Sequence, residues 1–76
     1  MSYYYNVAVA NTTKTYHVEV YTADCYKYEY LVNANTAKEA QSIGYRKTFK
    51  YYADCGIKEA FHPTKILAHC QSFLTI

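Results

Sequence analysis

Three cysteines, Cys25, Cys55 and Cys70, and three histidines, His17, His62 and His69, are the side chains best able to do chemistry here. In number they would suffice for a zinc site, but common zinc sites bring two ligands on one tight knuckle such as Cys-x-x-Cys. No such pair occurs, and the adjacent His69 and Cys70 aim apart. No metal and no cofactor is expected. An odd number of cysteines rules out a fully paired disulfide framework within one chain, and reduced thiols in a cytoplasmic setting are the reading that follows. Nucleophilic catalysis would need a nucleophile, a base within hydrogen-bond reach and an orienting group. The chain has no Gly-x-Ser-x-Gly, no glycine-rich phosphate loop and no carboxylate pair at acid–base spacing. Asp24, Asp54, Glu29 and Glu59 read as turn or surface residues. No enzyme activity is expected.

Binding chemistry is better represented. Residues 38 to 76 carry Lys38, Arg46, Lys47, Lys50, Lys58 and Lys65 against Glu39, Asp54 and Glu59, so the positive excess lies in the second half. If the middle of the chain is helical, Arg46 and Lys50 share the outward face, Lys47 lies on its flank, and Tyr45, Phe49 and Tyr52 lie around the other side. Arginine forks and aromatic planes hold phosphate and stack bases, and the same residue types anchor protein interfaces. A solvated helix face carries such charges too. The second candidate surface gathers Tyr4, His17, Tyr21 and Leu31 on the sheet face opposite the helix, with Lys27 nearby. Glu19 and Glu29 fall on that face and would repel a phosphate backbone, so a protein partner or self-association through a strand edge suits it better.

These surfaces depend on the elements beneath them. Residues 3 to 10 alternate Tyr3, Tyr5, Val7 and Val9 against Tyr4, Asn6, Ala8 and Ala10, which predicts a first strand. After Asn11-Thr12-Thr13, Tyr16, Val18 and Val20 alternate with His17, Glu19 and Tyr21. After Ala23-Asp24-Cys25, Tyr26, Tyr28, Tyr30 and Val32 alternate with Lys27, Glu29, Leu31 and Asn33. Three antiparallel strands in a meander follow. Thr36 and Glu39 form a Thr-x-x-Glu capping box at the start of a helix over residues 37 to 52. Its sheet-facing stripe is Ala37, Ala40, Gly44, Thr48 and Tyr51, mostly small residues set against a tyrosine-rich sheet. Gly56 suits a left-handed position after the helix, and residues 57 to 61 read as a fourth strand ending before Pro63. Ile66, Leu67, Cys70, Phe73 and Leu74 are spaced for a C-terminal helix, while residues 65 to 70 would also extend the sheet; the spacing favours the helix. Tyr21 to Cys25 resembles Tyr51 to Cys55, and both Ala-Asp-Cys turns are expected at one end of the domain, with Cys25 and Cys55 as neighbours.

At 76 residues, with 51% hydrophobic residues and only two Gly and one Pro, the chain fits a single compact α+β domain over residues 1 to 76. Such a chain buries only about 60% of its unfolded surface, which disfavours an elaborate internal active site. Eleven tyrosines with no tryptophan suit half-buried strands whose phenols need a partner or water. A net charge of +2 is mild for a nucleic-acid binder and of the wrong sign for a polyanion mimic. No apolar run approaches the roughly 18 residues of a membrane span, and Met1-Ser2-Tyr3 does not open a signal peptide. The order of three strands, helix and strand, followed by a short helix or strand, occurs in many small binding domains, including compact inhibitors made by bacterial viruses. On that analogy of size and architecture, the expected function is a non-catalytic protein that occupies a surface of a larger protein or nucleoprotein complex, one that handles nucleic acid being the case in view. Direct nucleic-acid binding through the basic helix face and a homodimeric structural or regulatory module are the alternatives.

Overall fold

The computed structural model describes residues 13–72. In β1 (Lys14–Thr22), alternate residues Tyr16, Val18, Val20 and Thr22 are buried. In β2 (Lys27–Ala34), Val32 and Ala34 are buried and Tyr28 and Tyr30 half-buried on the same side. This two-residue period is the one the sequence shows, and it sets the register: Val18 lies opposite Tyr30, and Val20 opposite Tyr28. The hairpin between these strands closes through Cys25 N–H donating to Thr22 O at 3.0 Å and Thr22 N–H donating to Tyr26 O at 3.1 Å.

The helix α1 (Ala37–Asp54) starts at the expected cap. Thr36 Oγ1 accepts from Glu39 N–H at 3.1 Å, and Glu39 Oε1 accepts from Asn35 N–H at 2.9 Å, one residue before the cap itself. The helix ends in a Schellman motif: Gly56, at φ 76°, donates to Ala53 O at 2.9 Å, and Ile57 N–H donates to Tyr52 O at 3.0 Å. Its buried residues are Ala40, Gly44, Thr48 and Tyr52. The expected stripe was one residue off at its end, since Ala37 and Tyr51 are exposed. The buried set is a row at spacing four, and such a row runs oblique to the helix axis, which lets it follow a twisted sheet where an axial stripe would not.

Two expectations after the helix are corrected. Residues 57 to 61 are not a strand: Lys58–Ala60 form a 3-10 turn, in which Ala60 N–H donates to Ile57 O at 2.8 Å and Phe61 N–H to Lys58 O at 3.1 Å. Amides committed to local bonds have none left for a ladder. The favoured C-terminal helix is instead β3 (Pro63–Ser72), antiparallel to β1. Ile66, Ala68 and Cys70 pack on the core in alternation with Lys65, Leu67 and His69. The sheet order is β2-β1-β3, so β1 is central, and the fold is α+β with three antiparallel strands and one helix. The strand expected over residues 3 to 10 lies outside the described residues.

The helix stands over one sheet face, and the tyrosines supply polar ties as well as bulk. Tyr30 Oη and Thr48 Oγ1 are 2.7 Å apart, and Thr48 passes its own proton to Gly44 O at 2.9 Å, so the fully buried hydroxyl is satisfied. Gln41 Nε2 donates to Ile66 O at 2.9 Å and ties α1 to β3. Phe61 closes the core end, its ring 5.3 Å from that of Tyr52. No helix among the described residues is long and apolar enough to cross a membrane.

Candidate functional site

Because Ala40, Gly44, Thr48 and Tyr52 face the sheet, the helical turn directs Arg46, Lys47 and Lys50 into solvent, and all three are exposed. Lys50 Nζ lies 3.3 Å from Asp54 Oδ2, an exposed pair one turn apart, while Lys38 and Arg46 line a shallow cavity of about 310 Å³ with Ser42 and Tyr45. Tyr45 and Phe49 are the aromatic members of this face, 44% and 41% exposed. Their rings lean on buried Phe61, with centroids 5.1 and 5.9 Å away. Tyr52, grouped with them by helical position, belongs elsewhere: it is 1% exposed, held in the core by the spacing-four row and by its phenol, which donates to Asp24 Oδ2 at 3.0 Å.

On the opposite sheet face the ladder sets side chains in rows across three strands. Tyr21 lies between Lys27 and Lys65, Glu19 between Glu29 and Leu67, and His17 between Leu31 and His69. Tyr4, assigned to this surface from the sequence, lies outside the described residues. Lys65, Leu67 and His69 are absent from the surface expected from the sequence because the helical spacing is favoured there over the sheet extension that residues 65 to 70 also allow; the alternation from Lys65 to Cys70 is the signal for them.

Like charges set directly opposite would destabilise the ladder, so Glu19 and Glu29 need compensation. Lys27 Nζ supplies it at 3.8 Å from Glu19 Oε2 and 3.4 Å from Glu29 Oε2, and His17 Nε2 reaches Glu29 Oε1 at 2.8 Å. The His17 bond, followed by Lys27, holds the Glu29 carboxyl below its ordinary range, and Glu29 in turn raises Lys27. Tyr21 donates to Glu19 Oε1 at 3.2 Å, and its phenol is raised by burial and by that bond. Lys65 Nζ stands 4.8 Å from the Tyr21 ring centroid and Lys27 Nζ 6.0 Å away, a cation–π arrangement on both sides. Leu31, 70% exposed, is the apolar member.

His17, Glu19 and Glu29 bring possible metal-ligand atoms within 4.8 Å of one another. The single Lys27 ammonium offsets one of the two carboxylate charges, and Glu29 is already engaged by both His17 and Lys27. The cysteines form no comparable group. Cys25 and Cys55 are exposed free thiols, and Cys70 is half-buried against the core. The two Ala-Asp-Cys turns do meet at one end, where Asp24 and Cys55 line a single cavity.

No known protein family, curated protein or solved structure matches this chain.

Proposed function

We propose that this chain is a small non-catalytic binding protein that covers an acidic surface on a larger protein with the outer face of α1. Support comes chiefly from Tyr45 and Phe49, two exposed aromatic rings braced from below by Phe61 at 5.1 and 5.9 Å, beside Arg46, Lys47 and Lys50. Binding ordinarily costs the entropy of immobilising side chains. Rings braced on a buried neighbour have already lost much of that freedom, so their contact area counts more fully toward affinity. Aromatic and arginine residues are also the types that dominate interface energetics. The adjacent cations select an acidic partner.

Within a complex that handles nucleic acid, the phosphate-binding channel carries the same positive sign as α1. The fit is therefore to an acidic protein surface of such a complex, and inhibition would arise by covering it. Direct nucleic-acid binding through the same cations differs in its salt response, because releasing counterions from several phosphates makes affinity fall steeply with ionic strength.

The test compares capture of partners from native lysate by the wild type, by Arg46→Glu/Lys50→Glu, and by Lys65→Glu on the opposite face. A captured protein lost only in the helix variant, with unchanged thermal unfolding, is the expected result. Capture that survives the helix reversal, or that is lost only with Lys65→Glu, overturns the assignment. Mobility shift with single- and double-stranded probes at two salt concentrations is the second arm. Salt-sensitive shifts abolished by the helix variant would replace the protein partner with nucleic acid.

A further inference from the structure

At the end of the molecule away from the α1 cap, the turn after β1 and the last turn of the helix enclose a cavity of about 360 Å³. Four tyrosines, Tyr26, Tyr28, Tyr51 and Tyr52, form most of its wall, and Asp24 lies among them. Tyr28 is the hub: its ring centroid lies 6.2 Å from Tyr26, 5.7 Å from Tyr51 and 5.8 Å from Tyr52. The rings are inclined to one another by 44° to 85°. They are therefore not stacked flat, and all four border one space. Tyr26 and Tyr51 are 60% and 52% exposed, and none of the residues lining the cavity is a lysine or arginine.

The phenols of Tyr28 and Tyr52 are already committed. Tyr28 Oη donates to Tyr52 Oη at 3.1 Å, and Tyr52 Oη donates to Asp24 at 3.0 and 3.2 Å from its two oxygens. Thr22 Oγ1 donates to Asp24 as well. The Thr22 bond, with help from Tyr52, keeps the Asp24 carboxyl below its usual range despite the opposing effect of desolvation, so the group is ionised at neutral pH. The cavity thus offers a full negative charge beside four aromatic rings, with the Tyr28 and Tyr52 hydroxyls and part of the Asp24 accepting capacity spent internally. A bare ammonium or a hydrated metal ion would lose water bonds that this wall replaces only in part. A cation with no donors loses far less, and aromatic walls are the known solution for quaternary ammonium groups.

We infer that the Asp24–tyrosine cavity is a binding site for a methylated ammonium group, carried either by a small cation or by a methylated lysine side chain. The site is separate from the outer face of α1 and stands whether or not that face binds a protein.

The experiment is a titration of the intact chain, followed through the tyrosine ring proton resonances, with tetramethylammonium, choline, a trimethyl-lysine peptide and ammonium. The uncharged carbon analogue of choline, with tert-butyl in place of trimethylammonium, is the control for simple apolar binding. Tetramethylammonium is expected to shift the Tyr26, Tyr28 and Tyr51 rings with a dissociation constant on the order of millimolar, and ammonium and the uncharged analogue at least tenfold more weakly. Tyr51→Leu and Tyr26→Leu, at exposed ring positions, should each weaken binding by about 3- to 30-fold, and Asp24→Asn by more. A peptide that binds tenfold tighter than tetramethylammonium identifies a side-chain ligand, whereas tighter binding of choline than of the peptide identifies a small cation. Equal binding of the uncharged analogue, or affinity unchanged in Tyr51→Leu and Tyr26→Leu, overturns the proposal. Should Asp24→Asn fail to fold, those two tyrosine variants carry the test alone.

Discussion

Gly44 is the residue on which the helix–sheet contact turns. A Cβ placed there would meet Val18 Cγ1 at 2.6 Å and Val20 Cγ2 at 3.4 Å, and both valines are fully buried. A glycine within a helix costs about 1 kcal/mol relative to alanine, and the close approach to β1 is what offsets it. Gly44→Leu is therefore expected to destabilise the fold by about 1–3 kcal/mol through overpacking, read as a lower urea midpoint with the slope unchanged. An unshifted midpoint would mean that the helix can lift from the valines at no cost. Cys25 makes the opposite case, since it occupies the left-handed region at φ 71° without being glycine. Removing its side chain relieves a strain of about 1–2 kcal/mol but adds unfolded-state entropy worth about 0.4–1 kcal/mol. Cys25→Gly should thus be neutral to mildly stabilising, while Cys25→Val, β-branched at the same φ, should lower the thermal midpoint. Both variants losing stability equally would show that the thiol itself matters to the turn.

Among the elements, α1 was readable because two local signals bracket it: the Thr36/Glu39 box and the glycine at position 56. Thr36 Oγ1 satisfies the Glu39 amide at 3.1 Å, and Thr36→Ala should cost about 1 kcal/mol. Thermal unfolding followed by circular dichroism checks this, and a loss below a few tenths would mean that tertiary packing alone holds the first turn. β1 and β2 were equally plain, each with one apolar and one polar face. The stretch after Gly56 was not. Residues 57 to 61 carry the apolar ends of a strand, Ile57 and Phe61, but their amides close a 3-10 turn, and apolar spacing carries no information about where amides bond. Ile66 to Cys70 satisfies both a helical and a strand spacing over so short a run, and the unpaired side of β1 decided between them. That single ambiguity carried through to the candidate surfaces, hiding Lys65, Leu67 and His69. The outward direction of Arg46 and Lys50 followed from the helix alone, whereas the burial of Tyr52 in place of Tyr51 depended on the oblique spacing-four row that packs on the sheet. The Asp24 cavity joins residues far apart in the chain, and only the shared Ala-Asp-Cys pattern hinted that its two halves meet.

For the molecule as a whole, two carboxylates couple stability to acid. Asp24 is held below its ordinary range first by the Thr22 hydroxyl and then by Tyr52, and Glu29 first by His17 and then by Lys27. A carboxyl whose pKa is lower folded than unfolded binds its proton more readily in the unfolded chain. Its contribution is complete above the unfolded value, about 4 for these residue types, and disappears as pH falls through the folded value. The fold should therefore hold its urea midpoint from neutrality down to about pH 5 and lose it progressively below about pH 4. The two groups sit in different places, Asp24 locking the β1–β2 turn to Tyr52 of α1 and Glu29 lying in the charge network of the open sheet face. Because both are exposed, salt weakens the ion-pair part of the effect, and the Glu29 share should shrink at high ionic strength more than the Asp24 share, which rests on neutral hydroxyl donors. Asp24→Asn and Glu29→Gln should each flatten the acid limb while lowering the midpoint at neutral pH. Urea titrations of the three proteins between pH 7 and pH 2.5, at low and high salt, test this. An acid limb as steep in both variants as in the wild type would place the proton-linked groups elsewhere.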